Sequence, residues 1–259
     1  RYSCELGSYS QMKKVVWIDV GTHFAQEHGS IFSSNVIFYL FIIRRFISSK
    51  LFRRGKFVTL QTLKDIISTR NKLRKKTQDF YSIFIEANSE IARKMKFYPE
   101  ADLFFNLALT NNSSQSPSIT KLYLGDGNAL SQGSSIFLEK HNVKQENFVA
   151  AFGVSTNDFF KELELYLSNQ FSDYVAIIRL NCEGVEDDVI YSAHKYFGSK
   201  LQLICGSLKD VKGVKGPEAL NRLEGFISEN GLVFAKFYAP IYTWLEGHQA
   251  ILGLLRKLD

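Results

Sequence analysis

The chain has 259 residues, 45% of them hydrophobic and 22% charged, which is enough apolar material for a sizeable core and excludes a disordered chain. Three cysteines, Cys4, Cys182 and Cys205, form no CxxC pair, and their odd count excludes a closed disulfide framework; this fits a reducing cytosol, with Cys182 and Cys205 buried in apolar contexts. The net charge of +6 is uneven: from Arg44 to Lys76 there are twelve Lys and Arg against one acid, Asp65, a net +11, so the remainder carries −5.

Residues 1–13 are polar, without a clear period, and read as an arm. No cleavable signal sequence is visible, and the opening Arg1 in place of Met leaves an upstream segment open. A buried-strand pattern at about 14–20 ends in Asp19-Val20-Gly21, and a helix is expected over about 25–32. The apolar run Val36–Ile43 is too short to span a bilayer. Downstream, Leu63, Ile66 and Ile67 fall at helical spacing opposite Lys and Arg. Two readings of 33–78 stand open. One is a buried helix followed by a solvated basic helix. The other is a basic amphipathic element lying on anionic lipid or a phosphorylated substrate, which would make the protein peripheral to a membrane. Nucleic acid is disfavoured, because no aromatics interleave the cations.

A second strand is expected at 80–86, a helix at 89–97, a strand at 105–110, a polar loop over 111–118 and a hairpin strand at 119–124. A turn at 125–128, a loop at 131–135 and a strand at 148–154 follow. A helix of about 158–169, capped by Thr156 or Asn157, leads into Tyr174-Val175-Ala176-Ile177-Ile178-Arg179-Leu180, the pattern of a strand covered on both faces. Then come a helix over 186–196, a strand at 201–205, a helix opened by Gly216-Pro217 and closed by Gly231, a strand at 232–238, a further short strand at 241–244, and a last helix from Gln249. Strands alternate with helices throughout, so the expected class is α/β, Rossmann-like, with a mostly parallel sheet and one domain over 1–259.

Ligands in such sheets sit beyond the carboxyl ends of the strands. There the sequence places Asp19, Gly21 and His23, then Glu86 and Asn88, then Asn181, Glu183 and Glu186. Glu86 has the position of an acid that bonds ribose hydroxyls. The turn reads Gly21-Thr22-His23-Phe24-Ala25-Gln26, without the second and third glycines of a pyrophosphate fingerprint, so NAD is disfavoured; no P-loop occurs either. His23 and His28 lack metal-ligand spacing, and no metal is expected. A nucleoside cofactor without phosphates, S-adenosylmethionine, fits best.

These residues resemble the FkbM-type family of S-adenosylmethionine-dependent methyltransferases. Ile18–His23 and Phe84–Asn88 are similar to its first two motifs, Asn106–Thr110 to a strand before its hairpin, Gly133-Ser134-Ser135 to its serine pair, and Asn157-Asp158 to part of its Leu-Asp-Asp segment. Ile178–Glu186 is similar to its Lys-Ile-Asp-Val-Glu-Gly-Ala-Glu run. The resemblance covers about 14–30 and 80–240. It implies a class I methyltransferase fold and transfer of a methyl group to a hydroxyl of a sugar, glycan or related precursor. Asp19, Gly21, His23, Glu86, Asn88 and Thr110 would lie at the cofactor, Ser134 and Ser135 at the acceptor. Glu183 would be the base, with Asn181 and Glu186 positioning the acceptor or tuning Glu183. Ala25 replaces a second glycine, narrowing room for the cofactor's methionine part; Asn181 replaces an aspartate and Arg179 a lysine. The link over 33–78 is longer and more basic than usual, which reads as a basic helical insertion. These departures keep a second reading open: a degenerate domain that binds a partner or membrane through 36–76 and no longer methylates.

Overall fold

A computed structural model describes residues 13–51, 59–77, 80–94, 101–111, 117–125, 130, 133–238 and 241–258, with the backbone alone over 45–51. Nearly all of the expected arm, most of the loop at 111–118, the turn at 126–128, part of the loop at 131–135 and the end of the helix at 89–97 lie outside these residues, as does Cys4.

The large sheet has six strands: β1 (Lys14–Val20), β2 (Phe80–Ile85), β3 (Leu103–Phe105), β7 (Tyr174–Leu180), β8 (Leu201–Gly206) and β9 (Phe234–Lys236). Their order is β3-β2-β1-β7-β8-β9, and every neighbouring pair is parallel. Parallel strands must be joined by crossovers, which here place helices on both faces. That is why the central strands read as apolar runs. Along β1, Val15 and Trp17 enter one core, with Ile31 of α1 (Gln26–Phe32), Ile66 and Leu73 of α3 (Leu60–Arg74) and Ile251 of α9 (Trp244–Leu258). Val16, Ile18 and Val20 enter the other, with Phe160 of α5 (Thr156–Gln170), Ile190 of α6 (Glu186–Phe197) and Leu223 of α8 (Pro217–Glu229). Burying each such side chain contributes about 1.5–3 kcal/mol.

A smaller sheet has the order β4-β6-β5, from β4 (Ala108–Thr110), β5 (Ser118–Gly125) and β6 (Val143–Ser155). The strand expected at 105–110 is therefore two strands in two sheets. The break falls at Asn106, whose side-chain amide donates to the Glu86 carbonyl at 2.7 Å and ties the turn to β2. β6 starts earlier than expected: Val143 pairs with Gly125 of β5, and the polar stretch between Val143 and Phe148 carries no apolar period to read.

Ser155, not Thr156 or Asn157, caps α5: its hydroxyl accepts from Asp158 N–H at 3.1 Å and donates to the Asp158 carboxylate at 2.8 Å. Asn157 instead accepts from Lys195 and Tyr196, clamping α5 to α6. The strand expected at 241–244 is a 3-10 turn running into α9, whose buried Trp244, His248, Ile251 and Leu255 recur at helical spacing. A short helix that the sequence did not announce, α7 (Lys209–Lys215), buries only Val211 and so offers no apolar period to read.

Between β1 and β2 run α2 (Asn35–Leu51) and α3. α2 is not the buried helix of the first reading, because Val36, Ile37, Leu40 and Ile43 face solvent while Phe38 and Ile42 are buried. No described helix is long and apolar enough to cross a membrane. The fourth helix, α4 (Ser89–Lys94), follows β2.

Candidate functional site

Chain order reverses direction at β1, which has β2 on one side and β7 on the other, so a crevice opens at the carboxyl ends of these strands. Gly21 makes the crossing possible. Its φ is +70°, and a Cβ there would stand 2.1 Å from the Asn181 carbonyl oxygen. The Gly21 N–H donates to Ile85 O at 2.9 Å and the Asn181 N–H to Val20 O at 3.0 Å, fixing the three strand ends against one another.

Beyond them lies a solvent-open cleft with about 630 Å³ of empty space. Its polar lining includes His23, Glu86, Asn88, Ser134, Asn181 and Glu183; Val20, Ile85, Leu107 and Leu109 supply apolar walls. Beside it is a more polar cavity of about 560 Å³, lined by Thr22, Gln26, Glu27 and Arg179 and sharing His23, Gly133, Asn181 and Glu183 with the first. Glu183 and Asn181 thus stand where the two spaces meet.

Glu86 is held by backbone: Oε2 accepts from His23 N–H at 2.7 Å and Oε1 from Asn88 N–H at 2.8 Å. Burial outweighs these bonds and pushes its carboxyl up to about 7. His23 has a left-handed backbone, and burial lowers its imidazole to about 4. Asn88 also caps the next turn through Glu90 N–H. Cys182 is half-buried at the cleft wall rather than buried, and burial together with Glu186 raises its thiol.

Four expected site residues do not line the cleft. Asp19 is fully buried beneath it, because odd-numbered positions of β1 face the α1 layer and the parallel register sets Asp19 against Arg179. Arg179 donates to Asp19 at 3.1 Å, to Gly21 O at 3.1 Å and to Glu27 of α1 at 2.7 Å. Burial raises Asp19 to about 6, partly countered by that guanidinium. Glu186 is also fully buried, and its carboxylate accepts from the N–H groups of Cys182, Glu183 and Gly184 at 3.2, 2.7 and 2.9 Å. It shapes the loop rather than facing an acceptor, and burial raises it to about 7. Ser135 is buried too: its hydroxyl donates to Glu183 O at 2.6 Å and accepts from Phe137 N–H. Thr110 lies in the small sheet, opposite Ser155, with its hydroxyl buried.

Lys140 gives no sign of itself in the sequence, since it sits in a turn with no periodic signal. It is 5% exposed, pairs with the Glu183 carboxylate and lies 3.5 Å from Asp210. Burial lowers its ammonium pKa. The Arg179 network does carry a readable signal: a lone cation inside an apolar strand, with an acid at the matching depth of the neighbouring strand. The expectation for Ala25 is corrected. Its φ of +48° explains why glycine would suit the position, but its methyl joins the core of Trp17 and Ile31 and lines neither cavity. Among the described residues no group of three or more His, Cys, Asp or Glu could hold a metal ion.

These groups give a pH signature. Glu86, Glu186 and Asp19 hold protons in the folded chain above their ordinary values of 4.5, 4.5 and 3.8, so their contribution to stability is lost as pH rises through 6–7. Burial lowers His23 to about 4 and His28 and His248 to about 3; their contribution is present above 6.5 and lost as pH falls. The two sets oppose each other from about pH 5 to 7.5 and nearly cancel. Glu86→Gln removes one of the terms that falls with pH, so its urea midpoint is expected to gain on that of the wild type as pH rises from about 5 to 8. A difference between the two midpoints that does not change with pH contradicts a protonated Glu86 in the folded chain.

No family model matches the chain, and no curated protein or solved structure matches it.

Proposed function

We propose that the chain is an S-adenosylmethionine-dependent O-methyltransferase acting on a hydroxyl of a sugar, glycan or related small precursor. The observation that carries this reading is the meeting of two spaces at Glu183 and Asn181: a partly apolar cleft with a buried carboxylate, Glu86, at the end of β2, and a polar cavity beside it. A reaction that joins two molecules needs both held side by side. Glu86 keeps unused lone pairs for ribose hydroxyls beyond the two N–H groups it accepts, and Ile85, Leu107 and Leu109 offer the apolar surface an adenine ring needs. The absence of a Gly-rich phosphate turn favours a cofactor without pyrophosphate. When bound, the cofactor supplies an electrophilic methyl group.

In this reading Glu183 takes the proton from the acceptor oxygen, Asn181 orients the acceptor, and Lys140 fixes the Glu183 carboxylate. Glu186 and Ser135 act through the backbone, Glu186 on the N–H and Ser135 on the carbonyl of Glu183. Calorimetric titration with S-adenosylmethionine and S-adenosylhomocysteine is the test. Micromolar binding to both is expected, weakened at least tenfold in Glu86→Ala; no heat with either overturns the proposal. The Lys140–Glu183 pair also favours a second reading, a domain that binds the cofactor without transferring methyl, because the ion pair already occupies the carboxylate that would have to meet the acceptor hydroxyl. Cofactor binding with no label transferred to any sugar acceptor would select it.

A further inference from the structure

A helix packed on a globular domain buries one stripe and turns its polar side to water. α2 departs from this rule. It buries Phe38 and Ile42, yet Val36, Ile37, Leu40 and Ile43 are 69, 59, 63 and 54% exposed. Val36, Leu40 and Ile43 follow the i, i+4, i+7 spacing of a single ridge, with Ile37 beside it. Apolar ridges of this kind mark binding surfaces.

The orientation of α2 is fixed by α3. Arg70 of α3 is buried; it donates to Ser30 O at 2.8 Å and to the Asn35 side chain at 2.8 Å, and its guanidinium stacks 4.0 Å from the Phe38 ring centroid. Arg74, which is exposed, donates to the same Asn35 oxygen at 2.7 Å. The ridge is therefore held facing outward, with Arg74 at its first turn and exposed Arg44 at its far end, about 13 Å away along the helix. Lys64 and Lys72 of α3, and Lys75 just after it, are exposed.

We propose that α2 docks the domain on an anionic lipid surface, with Val36, Leu40 and Ile43 in the headgroup–acyl boundary and Arg44 and Arg74 against acidic headgroups. Charge selects this occupant. Among the described residues Arg44, Lys64, Lys72, Arg74 and Lys75 are exposed cations on or next to α2 and α3, and the segment from Arg44 to Lys76 sums to +11, so a second copy would bring like charges together, whereas an anionic bilayer attracts the cations and takes up the ridge. The helix lies on the membrane rather than across it. This surface stands independently of any reaction in the cleft.

The test is sedimentation at low salt with phosphatidylcholine vesicles, with and without phosphatidylserine. The wild type is expected to sediment with the mixed vesicles and to stay in solution with phosphatidylcholine alone. Leu40→Glu/Ile43→Glu and, separately, Arg44→Glu are expected to lower the partition coefficient at least tenfold while leaving the thermal transition in place, since all three side chains are exposed. Leu40→Trp supplies a second readout: the emission of the added indole is expected to shift to the blue on mixed vesicles and to be quenched by brominated lipid. No sedimentation of the wild type, undiminished sedimentation of the double variant, or an unshifted emission in Leu40→Trp overturns the proposal. So does a wild-type dimer that Leu40→Glu/Ile43→Glu converts to monomer without lipid, which would make the partner a second copy.

Discussion

Arg179→Leu is expected to lower folding stability by about 3–5 kcal/mol, because it strips the counter-charge from two buried carboxylates. The Arg179 side chain is 3% exposed, Asp19 0% and Glu27 5%, so water cannot replace what the guanidinium supplies. It also releases the Gly21 carbonyl, at the turn that closes β1. Asp19 is already pushed up to about 6, and without Arg179 its folded-state value rises further, so the variant regains stability as the pH is lowered and its carboxyls protonate. The triple variant Arg179→Leu/Asp19→Asn/Glu27→Gln removes the charges together and is expected to recover most of the loss, since replacing a buried ionic group as a whole is far less costly than orphaning part of it. Urea unfolding at pH 7 and pH 5 measures all of this. A single variant as stable as the wild type at pH 7 would mean that the network contributes nothing to the fold.

Gly21→Ala is expected to be nearly as damaging. A left-handed backbone alone costs an L-residue about 1–2 kcal/mol. The added methyl would also stand 2.1 Å from Asn181 O and 2.7 Å from Asn181 C, both backbone atoms of the neighbouring strand end. β1 and β7 must part where Asn181 N–H meets Val20 O, and the total loss is expected to reach about 3–5 kcal/mol. Gly225→Ala in α8 serves as the control: nothing lies within 4 Å of its added Cβ, and it is expected to gain about 0.5–1 kcal/mol. Thermal melts of the two variants should therefore move in opposite directions. Equal shifts would mean that the Gly21 turn relaxes freely.

The sheet and the cleft were legible in the sequence for one physical reason. Strands covered on both faces need apolar residues at successive positions, and polar residues return only where the strand ends, so Gly21, Glu86, Asn181 and Glu183 announced their place. Features set by a partner rather than by a period were not legible. The first half of β6 is polar, and its start is marked only by the pairing of Val143 with Gly125 of β5. Lys140 sits in a turn before β6 and meets Glu183 beyond β7, a pairing that no local pattern announces. Trp244 begins a helix although Ile241-Tyr242-Thr243 has strand-like residues, because the Thr243 hydroxyl bonds the Tyr238 backbone and closes a turn. The apolar run of α2 illustrates a different limit: composition tells that a helix has an apolar side, and only packing tells whether that side meets the core.

The groups joined at the base of the cleft are far apart along the chain: His23 and Glu86 are separated by 63 residues, Asp19 and Arg179 by 160. During synthesis β1 can pair with β2 early, but its other edge stays open until β7 emerges. An unpaired edge is a template for foreign strands, and a sheet closed by such distant segments folds slowly. The nascent chain therefore passes through a long interval in which β1 needs protection. Once β7 has docked, the same event completes the sheet centre, neutralises Asp19 and Glu27, and sets Asn181 against Gly21. Recovery of the native sheet after refolding would thus keep time with the last long-range step rather than with the formation of helices.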